Sequence, residues 1–188
     1  MKPLYLWVGK SGSGKTTVVN HLEKLYGYTS VQSYTTRPPR REDETGHIFV
    51  TDEEFDELKD IIAYTEYNKY RYCATAEQLD QVNCYVIDVP GVEFLLDKYT
   101  NTERHIHIIY LDTTVKTRID RMVDRGDSDH AIVSRLYQDE EYDWYDKLHK
   151  LVWHYKNNLQ RNIELYTVDA NKEQEEVMQE VLKIIENK

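Results

Sequence analysis

The chain has 188 residues, 40% of them hydrophobic and 31% charged, which is enough apolar material for one core and far from the composition of a disordered chain. A formal net charge of -10 and a pI near 5.2 argue against a nucleic-acid partner, which is held through its phosphates by a broad basic surface. No apolar run reaches the length of a membrane span, so a cytoplasmic protein without membrane contact is expected.

Leu4 to Val8 is an apolar run that reads as a buried strand and ends at Gly9. A glycine- and serine-rich turn follows, then a helix from Lys15 to Leu25 with Val18, Val19, Leu22 and Leu25 on one side. Val31 to Thr35 reads as a second strand, and Thr36 to Gly46, rich in proline and charge, as a surface loop. Thr51 with Asp52, Glu53 and Glu54 supplies the cap and acidic first turn of a short helix bearing Phe55 and Leu58. Ile61 to Tyr67 and Tyr70 to Ala74 form the arms of a hairpin around Asn68 and Lys69. Thr75, with Gln78 three residues on, is a capping box for the next helix. Cys84 to Val89, broken by Asp88, and Arg104 to Leu111, ending at Asp112, read as buried strands joined by a crossover helix from Gly91 to Tyr99. Thr113 to about Arg161 reads as helices interrupted near Gly126, before a last strand, Ile163 to Val168, and a terminal helix from about Lys172. Strands alternating with helices imply a mainly parallel sheet covered on both faces. Cys73 and Cys84 make neither a CxxC pair nor a metal-ligand cluster and are read as small buried thiols.

Gly9, Lys10, Ser11, Gly12, Ser13, Gly14, Lys15 and Thr16 match GxxxxGK[ST] without a departure. The spacing has a physical reason: glycines let successive N–H groups curl around a phosphate while the following helix turns its positive end to the same anion. Lys15 adds a mobile charge for the outer phosphates, and Thr16 offers a hydroxyl to Mg²⁺. The match follows an apolar strand and opens an amphipathic helix, the context the motif demands, so these eight residues with Thr17 are assigned to ATP.

Ser33-Tyr34-Thr35-Thr36-Arg37-Pro38-Pro39-Arg40 closely resembles the acceptor-binding segment S-x-T-T-R-x-P-R of guanylate kinases. The resemblance continues through Gly46, Phe49-Val50 and Glu53-Glu54-Phe55, and more loosely over nearly the whole chain. It implies an α/β fold, the P-loop NTPase three-layer sandwich, as a single domain: a core of residues 1–32 and 82–188, an acceptor-binding region of about 33–81 and a helical lid of about 121–138. Arg37 and Arg40 flank a stiff Pro-Pro, which suits two guanidinium forks to an acceptor phosphate. The other reading is that they pair with Glu42, Asp43 and Glu44 on a solvated loop. By resemblance, Tyr72 hydrogen-bonds the acceptor phosphate, Ser33 lies near the acceptor base, and Asp88 positions Mg²⁺ through water, a plain helix cap being its alternative. Arg118, Arg121, Arg125 and Arg135 resemble the arginines that close over the phosphates; Lys15, Arg37, Arg125 and Arg135 are the catalytic candidates. Thr167 to Asn171 resembles the segment that receives adenine.

Several family positions differ. Gly46-His47-Ile48-Phe49 is two residues short and lacks a phosphate-binding tyrosine; Ala63 falls where the family reads guanine with a glutamate; Ala74 replaces a serine; and Val89-Pro90-Gly91 replaces a second aspartate. His47 and Glu66 are candidate substitutes at the acceptor. Base discrimination comes from buried polar groups that the correct base alone satisfies, so these losses leave the base open. The expected reaction is transfer from ATP to a nucleoside monophosphate, GMP or dGMP first, giving ADP and a nucleoside diphosphate, in a monomer or homodimer. Two alternatives stand beside it: a kinase of ribose bisphosphate, which the short loop with His47 also resembles, and a non-catalytic guanylate-kinase-like binding module.

Overall fold

The structure is a computed structural model that describes residues 2–40, 42, 44–101, 103–140 and 143–186. Strand β1 (Leu4–Val8) is buried along its whole length, as its unbroken apolar run requires. Helix α1 (Lys15–Tyr26) follows the phosphate loop and stops at Gly27, which takes the left-handed conformation of a helix C-terminus. Strands β2 (Ser33–Thr35) and β3 (His47–Phe49) flank the proline-rich loop, and Thr51 and Glu54 form a reciprocal capping box for α2 (Asp52–Asp56). Strands β4 (Ile61–Tyr67) and β5 (Tyr70–Thr75) make the expected hairpin, with Asn68 and Lys69 both at positive φ, as a two-residue turn between twisted strands demands. The second capping box, Thr75 with Gln78, opens α3 (Ala76–Gln81). The rest of the chain is β6 (Cys84–Val86), α4 (Val89–Lys98), β7 (Ile106–Asp112), α5 (Val115–Asp124), α6 (Asp129–Asp139), α7 (Trp144–Asn157), β8 (Ile163–Asp169) and α8 (Gln174–Glu186).

The larger sheet is wholly parallel, in the order β6-β1-β7-β8, and its strand alternation builds three layers. Leu4, Leu6 and Val8 pack with Val92, Leu95, Trp144 and Leu148 of α4 and α7, while Tyr5 and Trp7 pack with Val18, Leu22, Val177 and Val181 of α1 and α8. The P-loop NTPase architecture expected from the sequence is therefore present. The smaller sheet runs β3-β2-β5-β4, with β2 and β3 parallel and the other pairs antiparallel. Ser33, Thr35, His47, Phe49, Tyr72, Thr65 and Tyr67 are paired or two apart in this ladder and so share one face.

Some boundaries differ from expectation. His47–Phe49 is a strand inside a stretch that carried no strand signal, because three residues are too few to show a period. Arg104 lies before β7; its buried guanidinium donates to the carbonyls of Leu79 at 2.7 Å and Lys2 at 3.1 Å, closing the end of α3. Cys73 and Cys84 are buried and unbridged, and burial pushes both thiols up to about 12.

Candidate active site: a phosphate loop facing a guanidinium cluster

The loop between β1 and α1 depends on two glycines. Gly12, at φ 79°, lets the loop lie against α5: a Cβ there would sit 2.7 Å from the carbonyl oxygen of Arg118. Gly14, at φ 98°, turns the chain into the first helical residue. Lys15 folds back, donating to the carbonyls of Gly9 at 2.6 Å and Lys10 at 3.2 Å. Burial pulls its ammonium down to about 8, against the opposing pull of Asp139 and Asp88.

Residues Ser11 to Val18 line a cavity of about 580 Å³ whose other walls are Arg40, His47, Arg121, Asp124, Arg125, Arg135 and the α8 side, Ala170, Gln174 and Val177. Amides, an ammonium and several guanidinium groups thus border one space, a setting for anions. Burial and the neighbouring charges of Arg135, Arg37 and Arg125 disfavour the charged form of Arg40. Arg40 also has little to neutralise it, with Glu44 at 3.8 Å. His47 sits beside it with Nδ1 2.9 Å from the Ser33 hydroxyl and its ring edge-on to Tyr72. Burial, then Arg37, lowers its affinity for a proton. Ser33, His47 and Tyr72 are therefore brought together on the shared face of the smaller sheet.

Arg37 is placed otherwise. It is buried and engages Glu44 with both terminal nitrogens, at 2.8 and 3.1 Å, and donates to the Pro38 carbonyl at 2.7 Å. Burial pushes the Glu44 carboxyl up, but Arg37 and the Arg40 amide outweigh it and hold it at about 2. The loop-pairing alternative thus describes Arg37 through Glu44, while Arg40 faces the cavity; Asp43, another of the three proposed partners, lies outside the described residues.

Asp88 caps α4, accepting from the Gly91 amide at 2.8 Å, and its second oxygen accepts from the Thr65 hydroxyl at 2.7 Å. The cap reading is therefore realised, and the same carboxylate ties the hairpin to the parallel sheet. Burial raises its proton affinity, with Thr65, Gly91 and Lys15 opposing. Glu66 needs correcting. Hairpin pairing sets Thr65 opposite Tyr72 and Glu66 opposite Arg71, so Glu66 points from the other face into a separate cavity with Tyr64, Glu93, Phe94 and Tyr155. Ala63, at the guanine-reading position, is fully buried.

The arginines of 118 to 135 divide into two sets. Arg118 is buried, 3.7 Å from both Asp139 and Glu140, and Arg121 binds the carbonyls of Ser13 at 3.3 Å and Ala170 at 2.8 Å. Both brace the loop from beneath, which corrects the place of the buried Arg118 among closing residues, while Arg121 also lines the cavity beside Arg125 and Arg135. Arg125 and Arg135 line the cavity and share Asp127, which hydrogen-bonds Arg125 and lies 3.6 Å from Arg135 Nε. Asp127 and Asp139 carried no sequence signal. Asp139 is buried and accepts from the Ser11 amide at 2.8 Å, and its neighbour Glu140 binds Lys10 at 2.9 Å. In the adenine segment Ala170 borders the cavity, while Asn171 accepts from the Thr114 amide and pins α5.

No protein-family model matches the chain. It is 28% identical over 146 residues to the guanylate kinase of Legionella pneumophila (strain Paris), which spans 71% of this chain and 68% of that protein. Its fold matches the crystal structure of guanylate kinase from Anaplasma phagocytophilum with a TM-score of 0.56, covering 99% of this chain and 85% of that one at 14% identity. An intact phosphate loop, the Ser33–Arg40 block, the layered fold and these two likenesses make the chain similar to guanylate kinases.

Proposed function

We propose that the chain is a cytoplasmic nucleoside monophosphate kinase that moves the terminal phosphoryl group of ATP, with Mg²⁺, onto GMP or dGMP. The observation that carries the reading is the single cavity bordered by Ser11 to Thr17 on one side and by Arg40, His47, Arg125 and Arg135 on the other. Two phosphorylated molecules entering from opposite ends would meet there, and in-line transfer between them needs no protein nucleophile.

The residues present fit both expected groups. The Thr16 hydroxyl borders the cavity, and Asp88 is near enough to Lys15 for their charges to interact. When bound, Mg²⁺ supplies neutralisation of the outer phosphates of ATP. Loop amides hold those phosphates, and Lys15 swings from the Gly9 and Lys10 carbonyls to the outer ones. Arg40 and Tyr72 hold the acceptor phosphate, with Ser33 and His47 beside it; Glu44 fixes Arg37 as the buried post of this wall. An oxygen of the acceptor phosphate bonds to the terminal phosphorus as its bond to the ADP oxygen breaks, while Arg125 and Arg135 face the charge spread over the transferring oxygens and help exclude water.

One observation favours the ribose bisphosphate alternative. The guanine-reading position is the buried methyl of Ala63, so no polar side chain stands there to read a base. ADP release, measured against ribo- and deoxyribonucleoside monophosphates and ribose bisphosphate, decides among the readings. Turnover on GMP or dGMP is expected; turnover confined to ribose bisphosphate transfers the chain to the sugar-phosphate kinases, and ATP binding without turnover on any acceptor makes it a binding module.

A further inference from the structure

Two histidines and a glutamate that phosphoryl transfer does not use meet at the opposite end of the parallel sheet. His107 is the second residue of β7 and His105 immediately precedes the strand, two residues away, and their rings lie together on one side. The parallel register sets Glu164 of β8 directly beside His107. Glu164 Oε2 lies 3.5 Å from His105 Nε2 and 3.6 Å from His107 Nδ1, the ligand atoms all fall within 4.8 Å of one another, and the two imidazole centroids are 4.0 Å apart.

Those distances have a chemical meaning. A tetrahedral ion with nitrogen and oxygen bonds of about 2.0–2.1 Å holds its ligand atoms about 3.3–3.4 Å apart, so small side-chain adjustments close this triangle around one ion. Two imidazoles and one carboxylate suit a borderline ion such as Zn²⁺ and are too nitrogen-rich for Mg²⁺ or Ca²⁺. The ligands are also held from outside: Tyr5 stacks on His107 at 5.1 Å, and the Tyr166 hydroxyl donates to Glu164 Oε2. Such outer partners are what orient metal-binding side chains.

We propose that His105 Nε2, His107 Nδ1 and Glu164 Oε2 bind one divalent transition-metal ion of the zinc class. The ion staples β7 to β8. His105 and Glu164 are 29% and 30% exposed, so the cluster is reached from solvent on that side, and a water is the proposed fourth ligand. Four residues of β7, from His107 to Leu111 beside the phosphate loop, separate the ion from that loop by roughly 13 Å, so it takes no part in transfer.

The test uses the full chain, stripped with a chelator, dialysed and titrated calorimetrically with zinc chloride alone, without nucleotide. One ion per chain is expected at micromolar affinity or tighter, with a rise in Tm of about 5–10 °C at roughly a hundredfold excess over Kd. His105→Ala and Glu164→Gln are each expected to weaken binding by at least about tenfold, while His130→Ala and His154→Ala leave it intact. His107 is fully buried and is left unchanged to keep the fold. Co²⁺ loading of the unaltered chain gives a second readout, the intense visible absorption of a four-coordinate site. Absence of stoichiometric zinc, binding that persists in both ligand variants, or the weak spectrum of six-coordinate cobalt overturns the proposal.

Discussion

Replacing Lys15 by methionine separates catalysis from folding. The ammonium is held at about 8 against an ordinary 10.5, with burial as the main cause. A displacement of that size corresponds to a cost on the order of 3 kcal/mol borne by the folded chain while the group is charged. The unfolded chain keeps this proton to higher pH, so native stability recovers as pH rises from about 8 to 10.5; below about 8 both forms are charged and the whole cost is present. Methionine retains the stem and removes the charge. Lys15→Met is therefore expected to be more stable than the parent at pH 7, by roughly 1–3 kcal/mol, with the difference closing above pH 8. At pH 7 about nine-tenths of Lys15 is charged, and its loss at the transferring phosphates is expected to lower turnover by about 10²-fold or more. Urea unfolding at pH 7 and pH 10 and the ADP-release assay measure the two effects on the same preparation. A variant that keeps near-normal turnover, or is less stable than the parent at pH 7, refutes this account of Lys15.

Arg40→Ala is expected to raise the acceptor KM about 10- to 100-fold, the worth of a charge-assisted hydrogen bond to phosphate, with ATP KM and Tm almost unchanged. Its nearest carboxylate is 3.8 Å away and its side chain is 47% exposed, so a large drop in Tm would show that its role is structural. Glu44→Gln is expected to destabilise the chain at neutral pH and to flatten its acid limb. Burial raises the Glu44 carboxyl but Arg37 outweighs it, so its contribution is complete above the ordinary 4.5 and is lost as pH falls through about 2. Thermal melts from pH 7 to pH 2 follow this; an unchanged acid limb would remove Glu44 as the clamp on Arg37.

Local chemistry made much of the fold readable. The phosphate loop, both capping boxes, the Asn68-Lys69 turn and the apolar run of β1 each depend on residues a few positions apart. Glu66 was misassigned although its side was already implied: a two-residue turn at Asn68 and Lys69 pairs Tyr72 with Thr65 and sends Glu66 to the opposite face. Asp139 lay beyond any such reasoning, because its partner Ser11 is 128 positions away and no periodicity or motif marks the contact. Arg37 and Glu44 are near in sequence, but both a phosphate clamp and a loop clasp are consistent with their spacing, and burial decides between them.

Helix α6 touches both halves of the cleft: Asp139 at its end holds the Ser11 amide, while Ser134 and Gln138 bind Asn68 at the tip of the hairpin at 3.1 and 2.6 Å. An eleven-residue helix is a stiff rod about 16 Å long. Under the proposed function, a phosphate bound at Ser11 would compete with the carboxylate moored there, and a released helix end would carry its far contacts with it, so the first nucleotide to enter would reset the distance the second must cross.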